Sequence, residues 1–524
     1  MNATLARIWT IAAIAIMLWI IQATYRDYGV TWDDAVHARY GELVVDYFRS
    51  GFQDRRANDY RKLYTYGTLA DVVPALLYRQ RPEFKYEIRH FLFALMGLGA
   101  VLGVIRIGRL FHDPWVGIYA GVALVMLPRF YGHAFFNCKD IPFACFFTWS
   151  VYALCRFVLA DGRWISTVSC GLAFAATLAA RPGGVPLLLM LLVLATGFGH
   201  FARGGGRQLW LRAIVVWAIA WAGMVAFWPW AHQSPLLNPL RAISRSLAFE
   251  VSYPVLFEGL QTMSDQLPRY YLAKYLLITT PPFCLVLMLV GLVYGVRSQI
   301  RDPSSPVSLA CFVIQFWLLA PLLLALVAHP NVYDGLRHVL FILPAVAVLA
   351  GIGAASICRV FRRKPYRAAV VAALLLVCAL PTFSLVRLHP YQMTYFNGLV
   401  GGLKGAAGRY ETDYWLSSYK EAIEWINEQA SAQPERELSI LVAANSLSKA
   451  CAEYYLAPGI SMKTVFSNRI PGQIPAPYTY YVATTRYGVD RSFPHSPIVH
   501  SIGRDDAVFT VIRKRSEGQL APPK

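Results

Sequence analysis

The sequence predicts a polytopic α-helical membrane protein with a small α/β domain at its C-terminal end. Composition is the first reason. Hydrophobic residues make up 56% of the 524 residues and charged residues only 15%, at a mean hydropathy of +0.42, whereas soluble domains carry about 25% charged residues. Apolar runs of bilayer-spanning length then recur over the first three quarters of the chain. Finally, the loops between those runs alternate in charge. The net charge of +19 would suggest nucleic acid in a soluble protein, but here the excess collects in one set of loops, as lipid topology demands. Nucleic acid is therefore not an expected partner.

About 11 spans are predicted, near 4–24, 90–110, 114–128, 141–160, 165–180, 184–201, 209–230, 275–296, 307–328, 336–357 and 367–386. The basic connections hold Arg106 and Arg109, Arg163, Arg203, Arg207 and Arg212, Arg297 and Arg301, and Arg359 to Arg367. The positive-inside rule assigns them to the cytoplasm. Segments 25–89, 129–140, 181–183, 231–274, 329–335 and everything after about 387 then face outward. This describes a multi-pass protein of the cytoplasmic (inner) membrane whose C-terminal domain faces the periplasm. Residues 1–24 read as a retained anchor, because the apolar stretch is long and no small-x-small cleavage site follows it. The expected division is 1–390 for the transmembrane domain and 391–524 for the exoplasmic α/β domain.

Within the first outer loop, 25–89, apolar Val36, Tyr40, Leu43, Val44 and Tyr47 recur at helical spacing from Asp33 until Gly51. A second amphipathic piece runs from Thr68 to Tyr78, interrupted by Pro74. Both read as helices on the membrane plane. In the C-terminal segment, Ser418 and Glu421 form a capping-box pattern. Strands are expected at Leu438–Ala444, Thr464–Ser467, Tyr478–Thr485 and Ala507–Ile512, a helix at Ser446–Leu456, and a frayed tail from Arg515. Seven of the nine cysteines lie in or beside apolar runs as small hydrophobes; Cys138 and Cys451 are the one pair open to a disulfide.

Chemistry gathers on the outward side. Asp33 and Asp34 follow Trp32 at a helix start, where capping accounts for only one acid. Adjacent carboxylates raise one another, which suits a general base. Asp140 sits in Asn137-Cys138-Lys139-Asp140-Ile141-Pro142-Phe143, a good N-cap context on the same side of the membrane. His37, four residues after Asp33, could join Asp33 or Asp34 around a divalent metal or make a structural contact; no other cofactor is expected. Arg181, Arg337 and His338 place cationic groups at outer span ends, and Lys62 with Tyr64 and Tyr66 does so in the first loop. These groups suit a lipid phosphate or anchor the chain to headgroups.

Together these stretches resemble the GT-C superfamily of membrane glycosyltransferases, in particular the family 39-like branch of protein O-mannosyltransferases and aminoarabinose transferases. Trp32-Asp33-Asp34-Ala35 resembles the branch's first-loop acid pair, and Lys139-Asp140-Ile141-Pro142-Phe143 its second acid motif. Gly335-Leu336-Arg337-His338 through Pro344 is similar to its Arg-Tyr…Leu-Pro span, with His338 where Tyr is usual, and Arg181-Pro182-Gly183-Gly184 to a recurrent outer turn. The stretches His389-Pro390-Tyr391-Gln392 and Asp413-Tyr414-Trp415 look like the C-terminal part of uncharacterised bacterial members. The first loop has no His-Pro-Pro-x-Gly-Lys run of the protein mannosyltransferase kind.

The resemblance implies an inverting glycosyltransferase. A polyprenyl-phosphate-linked sugar is the donor, and the acceptor is a hydroxyl on a glycolipid, polysaccharide or protein. It implies Asp33 as base, Asp34 and Asp140 as its tuners or positioners, Lys62, Arg181, Arg337 and His338 on the donor phosphate, and Tyr64 and Tyr66 on substrate. The alternative class is a proton-coupled lipid or solute transporter, which would place ionisable groups near the membrane midplane and show inverted repeats.

Overall fold

The structure is a computed structural model that describes residues 3–247, 251–361, 364–432, 438–443, 449–465 and 478–515. Among them, seven helices are long and apolar enough to cross a membrane: Pro82–Phe111, Asp140–Leu159, Pro182–Arg203, Arg207–Ala226, Pro282–Arg301, Pro306–Ala328 and Arg337–Val360. Helices Pro114–Val125 and Pro128–Phe136 form an eighth if taken as one span bent by 70°. The other three predicted spans fall on shorter apolar helices, Ile8–Thr24, Trp164–Ala180 and Leu376–Arg387. The described helices thus support seven or eight crossings where the sequence suggested eleven.

Prolines explain two breaks within predicted spans. Leu127 is extended before Pro128, as the residue preceding a proline prefers, and the predicted 114–128 span bends there. Thr280 is likewise extended before Pro281 and Pro282, so the predicted 275–296 span divides into Tyr271–Thr279 and Pro282–Arg301.

Helix Arg337–Val360 is the bundle's centre, with 89% of its apolar window buried, against 28% for Arg207–Ala226 and for Pro282–Arg301. The latter two present apolar faces such as Ile214, Leu289 and Val293 outward. Small residues let the central helix sit close to its neighbour. A β-carbon on Gly353 would stand 2.0 Å from the Leu287 carbonyl oxygen, and one on Gly291 2.0 Å from that of Leu349. Backbones approach this way in lipid, where packing and not apolar burial drives helix association.

The first loop contains helices Trp32–Arg49 and Leu69–Tyr78. The loop after Ala226 carries an antiparallel hairpin, β1 (Pro254–Phe257) and β2 (Leu260–Met263). The C-terminal domain holds β3 (Ser439–Ala443), β4 (Ser461–Val465), β5 (Tyr480–Thr484), β6 (Ile498–Arg504) and β7 (Ala507–Lys514) in the order β4-β3-β5-β7-β6. The β3 strand pairs in parallel with β4 and β5; the β5–β7 and β7–β6 pairs are antiparallel. Helix Tyr419–Ala432 lies against the sheet, with Trp425 stacked on His500 at 5.0 Å.

The expected capping box does not form. Ser418 Oγ shares a hydrogen bond with Thr510 Oγ1, and Glu421 pairs with Arg504 at 2.6 Å. The Asp413 carboxylate accepts the Ser417 and Ser418 amides instead. Cys138 and Cys451 are both free, buried thiols, so the pairing open on sequence is not made. Parts of three predicted C-terminal elements (residues 444, 446–448 and 466–467) and the tail beyond Arg515 lie outside the described residues.

The domain is seated on the first loop. Val30 N–H donates to Tyr455 Oη at 3.0 Å, and a β-carbon on Gly29 would meet the Ser417 carbonyl oxygen at 2.1 Å. Replacing Gly353→Val should overpack the central helix and cost about 1–3 kcal/mol, read as a lower melting temperature in detergent. Gly206→Ala, which meets no atom closer than 4.0 Å, should leave the melt unchanged.

Candidate active site

Side chains from the first loop, the ends of several bundle helices and the C-terminal domain meet at one end of the bundle. Asp33 and Asp34 open helix Trp32–Arg49, and Thr31 supplies no side-chain cap. Successive helical residues point about 100° apart, so the two acids enter different surroundings. The Asp34 side chain is wholly buried. Its Oδ1 accepts Arg89 Nε at 2.5 Å, and its Oδ2 lies 3.1 Å from His90 Nε2. Arg89 also reaches Asp71 at 3.5 Å, and Asp71 holds His37 Nδ1 at 2.7 Å. Burial alone would raise Asp34, but Arg89 and His90 outweigh it and hold the carboxyl below its ordinary value.

Asp33 is placed differently: 20% of its side chain is exposed, against 2% for Asp140. Lys139 Nζ stands 2.8 Å from Asp33 Oδ2 and Arg337 Nη1 stands 3.8 Å from the same oxygen. Both ion pairs fall on Oδ2, leaving Oδ1 outside them. Burial would push this carboxyl up; Lys139, then Arg337, reverse the shift and bring it to about 2. Two adjacent acids suggested a raised base, so this corrects the expectation: the neighbouring acid turns away while cations face Asp33. A depressed carboxyl lends stability above its unfolded value near 3.9, which is lost only as pH falls towards 2. Asp33 in turn keeps Lys139 protonated above its ordinary range, against the cost of burial.

Asp140 is the first residue of helix Asp140–Leu159, and its carboxylate makes no cap on the helix, against the N-cap expected from the sequence. Its Oδ1 takes Arg181 Nη1, its Oδ2 accepts Asn137 Nδ2 at 3.0 Å, and its amide donates to Asn137 Oδ1 at 2.8 Å. Gly67 explains why the first loop reaches this turn: a β-carbon there would meet the Ala179 carbonyl oxygen at 2.2 Å. Arg337 also binds Asp334 at 2.8 Å. Asp334 binds Arg486 of the C-terminal domain at 2.7 Å, and Arg486 reaches Glu411 at 3.3 Å. The Arg337 guanidinium lies over Tyr333 and Trp415, and that of Arg486 lies over Trp32 at 4.7 Å.

The remaining sequence candidates divide. Tyr66 belongs to the cluster, its ring 6.0 Å from Lys139 Nζ. His338 is half-buried beside it, edge-on to Tyr333 at 4.7 Å. Tyr64 turns instead towards Trp230 at 5.1 Å and accepts Arg245 at 3.3 Å. Lys62 is exposed in a left-handed turn with φ 61° and is not among the cations on Asp33 or Asp140. His37 faces Asp71 and not the acid pair, and no group of three His, Cys, Asp or Glu side chains able to hold a metal occurs among the described residues.

Sequence reasoning passed over Lys139, Arg89, Arg486 and Glu411. Lys139 adjoined a quoted acid, and Arg89 with His90 stood visibly at the mouth of an apolar run. Arg486 and Glu411 carry no local signal.

Solved structures match the overall fold. ArnT from Cupriavidus metallidurans bound to undecaprenyl phosphate superposes with a TM-score of 0.52 at 13% identity over 100% of both chains. The oligosaccharyltransferase AglB from Archaeoglobus fulgidus, in complex with an inhibitory peptide and a dolichol-phosphate, gives 0.53 at 11% identity over 91% of this chain and 69% of its own. Its apo form gives 0.55 at 12% identity over the same shares. The chain has a GT-C fold. At these identities the likeness is one of architecture. No family model and no curated protein matches the sequence. In this GT-C fold, the C-terminal sheet domain closes the end of the bundle that holds the acids.

The contrast between the acids is measurable. Asp34→Ala would leave Arg89 buried with a single, longer-range partner and should cost about 3–5 kcal/mol, the penalty for breaking a buried pair. Asp33→Asn should cost clearly less, because Lys139 can swing to water. Denaturation of the detergent-purified variants checks the order.

Proposed function

We propose that this protein is an inverting glycosyltransferase that moves a sugar from a polyprenyl-phosphate donor to an acceptor hydroxyl, working at the outer face of the cytoplasmic membrane. One observation carries the reading. Asp33, the most exposed of the three acids, faces Lys139 and Arg337 through one oxygen and keeps the other clear, beside membrane-length helices. A lone general base needs no such cations; a reaction that expels a phosphate does. The undecaprenyl phosphate bound to ArnT and the dolichol-phosphate in the AglB complex support the same donor chemistry.

The mechanism follows from the charges. The donor phosphate draws Lys139 and Arg337 towards itself, with Arg181 beside Asp140 as a third cation within the cluster. Asp33 thereby loses the counter-charges that hold it near 2 and gains basicity as the donor arrives. The acceptor hydroxyl gives its proton to Asp33 Oδ1, its oxygen attacks the anomeric carbon, and the bond from that carbon to the phosphate oxygen breaks. The electron pair stays on the polyprenyl phosphate, where the cations stabilise the developing charge. Asp140 orients Arg181, and Asp34 holds the start of the helix in place. Tyr66 and His338 line the approach to Lys139 and Arg337.

General-base assistance is worth about 10²–10⁴-fold. Asp33→Asn should lose that much transfer of label from an undecaprenyl-phosphate sugar in detergent while still binding undecaprenyl phosphate. Lys139→Ala should weaken that binding, and Lys62→Ala should not. Near wild-type transfer by folded Asp33→Asn overturns the reading, and transfer in detergent, where no gradient exists, separates it from transport.

A further inference from the structure

A cavity of about 750 Å³ lies between the β1–β2 hairpin and the loops of the C-terminal domain, lined by Tyr410, Glu411, Tyr414, Arg486, Tyr487 and Asp490 among others. The buried polar atoms of its lining residues that have no hydrogen-bond partner include Glu411 Oε2 and Tyr410 Oη. Glu411 is only 7% exposed and Tyr410 1%. Burying a polar atom without a partner costs about 1–3 kcal/mol, so such atoms in a cavity wall are the ones a ligand would satisfy.

The cavity is joined to both catalytic candidates. Arg486 pairs with Glu411 on the cavity side and covers Trp32, the residue before Asp33, with its guanidinium. Tyr414 Oη lies 2.9 Å from His133 Nε2, His133 Nδ1 lies 3.1 Å from Asn137 Nδ2, and that amide donates to Asp140. The cavity wall is thus connected to Asp140 through His133 and Asn137, and to Asp33 through Arg486, Asp334 and Arg337.

We infer that this cavity is the acceptor subsite and takes a neutral, polyhydroxylated glycosyl group. The inference rests on the transferase reading above. Its chemistry comes from the lining. Tyr487, the partly exposed tyrosine of the lining, offers its ring to the apolar C–H side of a sugar, with Tyr410 and Tyr414 buried behind the wall. Glu411 and Asp490 accept hydroxyl hydrogens, and Arg486 donates. Glu411, Asp413 and Asp490 stand against Arg486 and Arg491 in the lining, so the cavity has no positive excess to select a phosphate. Burial, against the pull of Arg486, pushes the Glu411 carboxyl up from its ordinary value, towards the protonated form that donates as well as accepts. Bound there, an acceptor presents a hydroxyl towards the Trp32–Asp33 edge while the donor approaches from the lipid side.

Two full-chain variants test this. Glu411→Gln alters the carboxylate whose Oε2 has no partner. Val508→Trp adds a ring to the lining from a β7 position that is 40% exposed, and leaves every buried charge in place. Membranes carrying each variant contain the native donor and acceptor, and sugar added to envelope glycolipids and glycans is read by mass spectrometry. The purified chains are titrated with undecaprenyl phosphate. Transfer should fall about tenfold or more, the worth of one well-made contact, and should recover as acceptor membranes are added in excess, with affinity for undecaprenyl phosphate unchanged. Wild-type transfer by both variants, or a parallel loss of undecaprenyl phosphate affinity, overturns the assignment. Absence of transfer by the wild-type chain overturns the transferase reading itself, and the subsite falls with it.

Discussion

The buried pair of Asp34 with Arg89 is the contact on which the geometry of this end of the molecule depends. It joins the first loop to helix Pro82–Phe111, and through Asp71 and His37 it also draws in helix Leu69–Tyr78. Two desolvated charges stabilise little in net terms, but a geometry that satisfies them is steep, because neither partner can be left alone in the interior. With Asp34 held, the helical turn determines where Asp33 points. The second acid of the sequence pair is best understood as the anchor of the first.

From Asp33 outward the charges alternate: Arg337, Asp334, Arg486, Glu411. Each ion has at least one opposite neighbour, which is how a cluster this buried remains tolerable. Alternation also couples the members. A phosphate that took Arg337 would leave Asp334 to Arg486 alone, and a ligand on Glu411 would leave Arg486 to Asp334 alone. The positions of Asp33 and of the cavity wall are therefore linked through three side chains.

Much of this was legible in the sequence, and the parts that were not share a cause. Apolar runs located the helices, because length and hydropathy are local properties. The Pro128 and Pro281–Pro282 breaks were equally visible, yet a run-length reading passes over them. Lys139 stood in the quoted motif beside Asp140 but was taken as context, since adjacency along the chain does not say which acid a long side chain will reach. The raised carboxyl expected from Asp33 and Asp34 assumed that neighbours in sequence face one another; on a helix they do not. Arg486 and Glu411 lie in a domain whose strands were recognisable, but nothing in a strand pattern tells which loop residue will reach a site built some 450 positions earlier.

That distance along the chain bears on what the C-terminal domain is for. A domain tethered only as an appendage would meet the bundle through exposed, exchangeable polar contacts. Here Arg486 is 7% exposed and is bound by Asp334 from the loop before the central helix. Trp415 packs under Arg337, and Ser417 closes on Gly29 just upstream of the acid pair. These contacts remove water from Asp334 and Arg337 themselves, so the strength of the field around Asp33 depends on the domain being seated. The domain is thus a wall of the site, and the bundle alone would leave the same acids and cations in a wetter, weaker electrostatic setting.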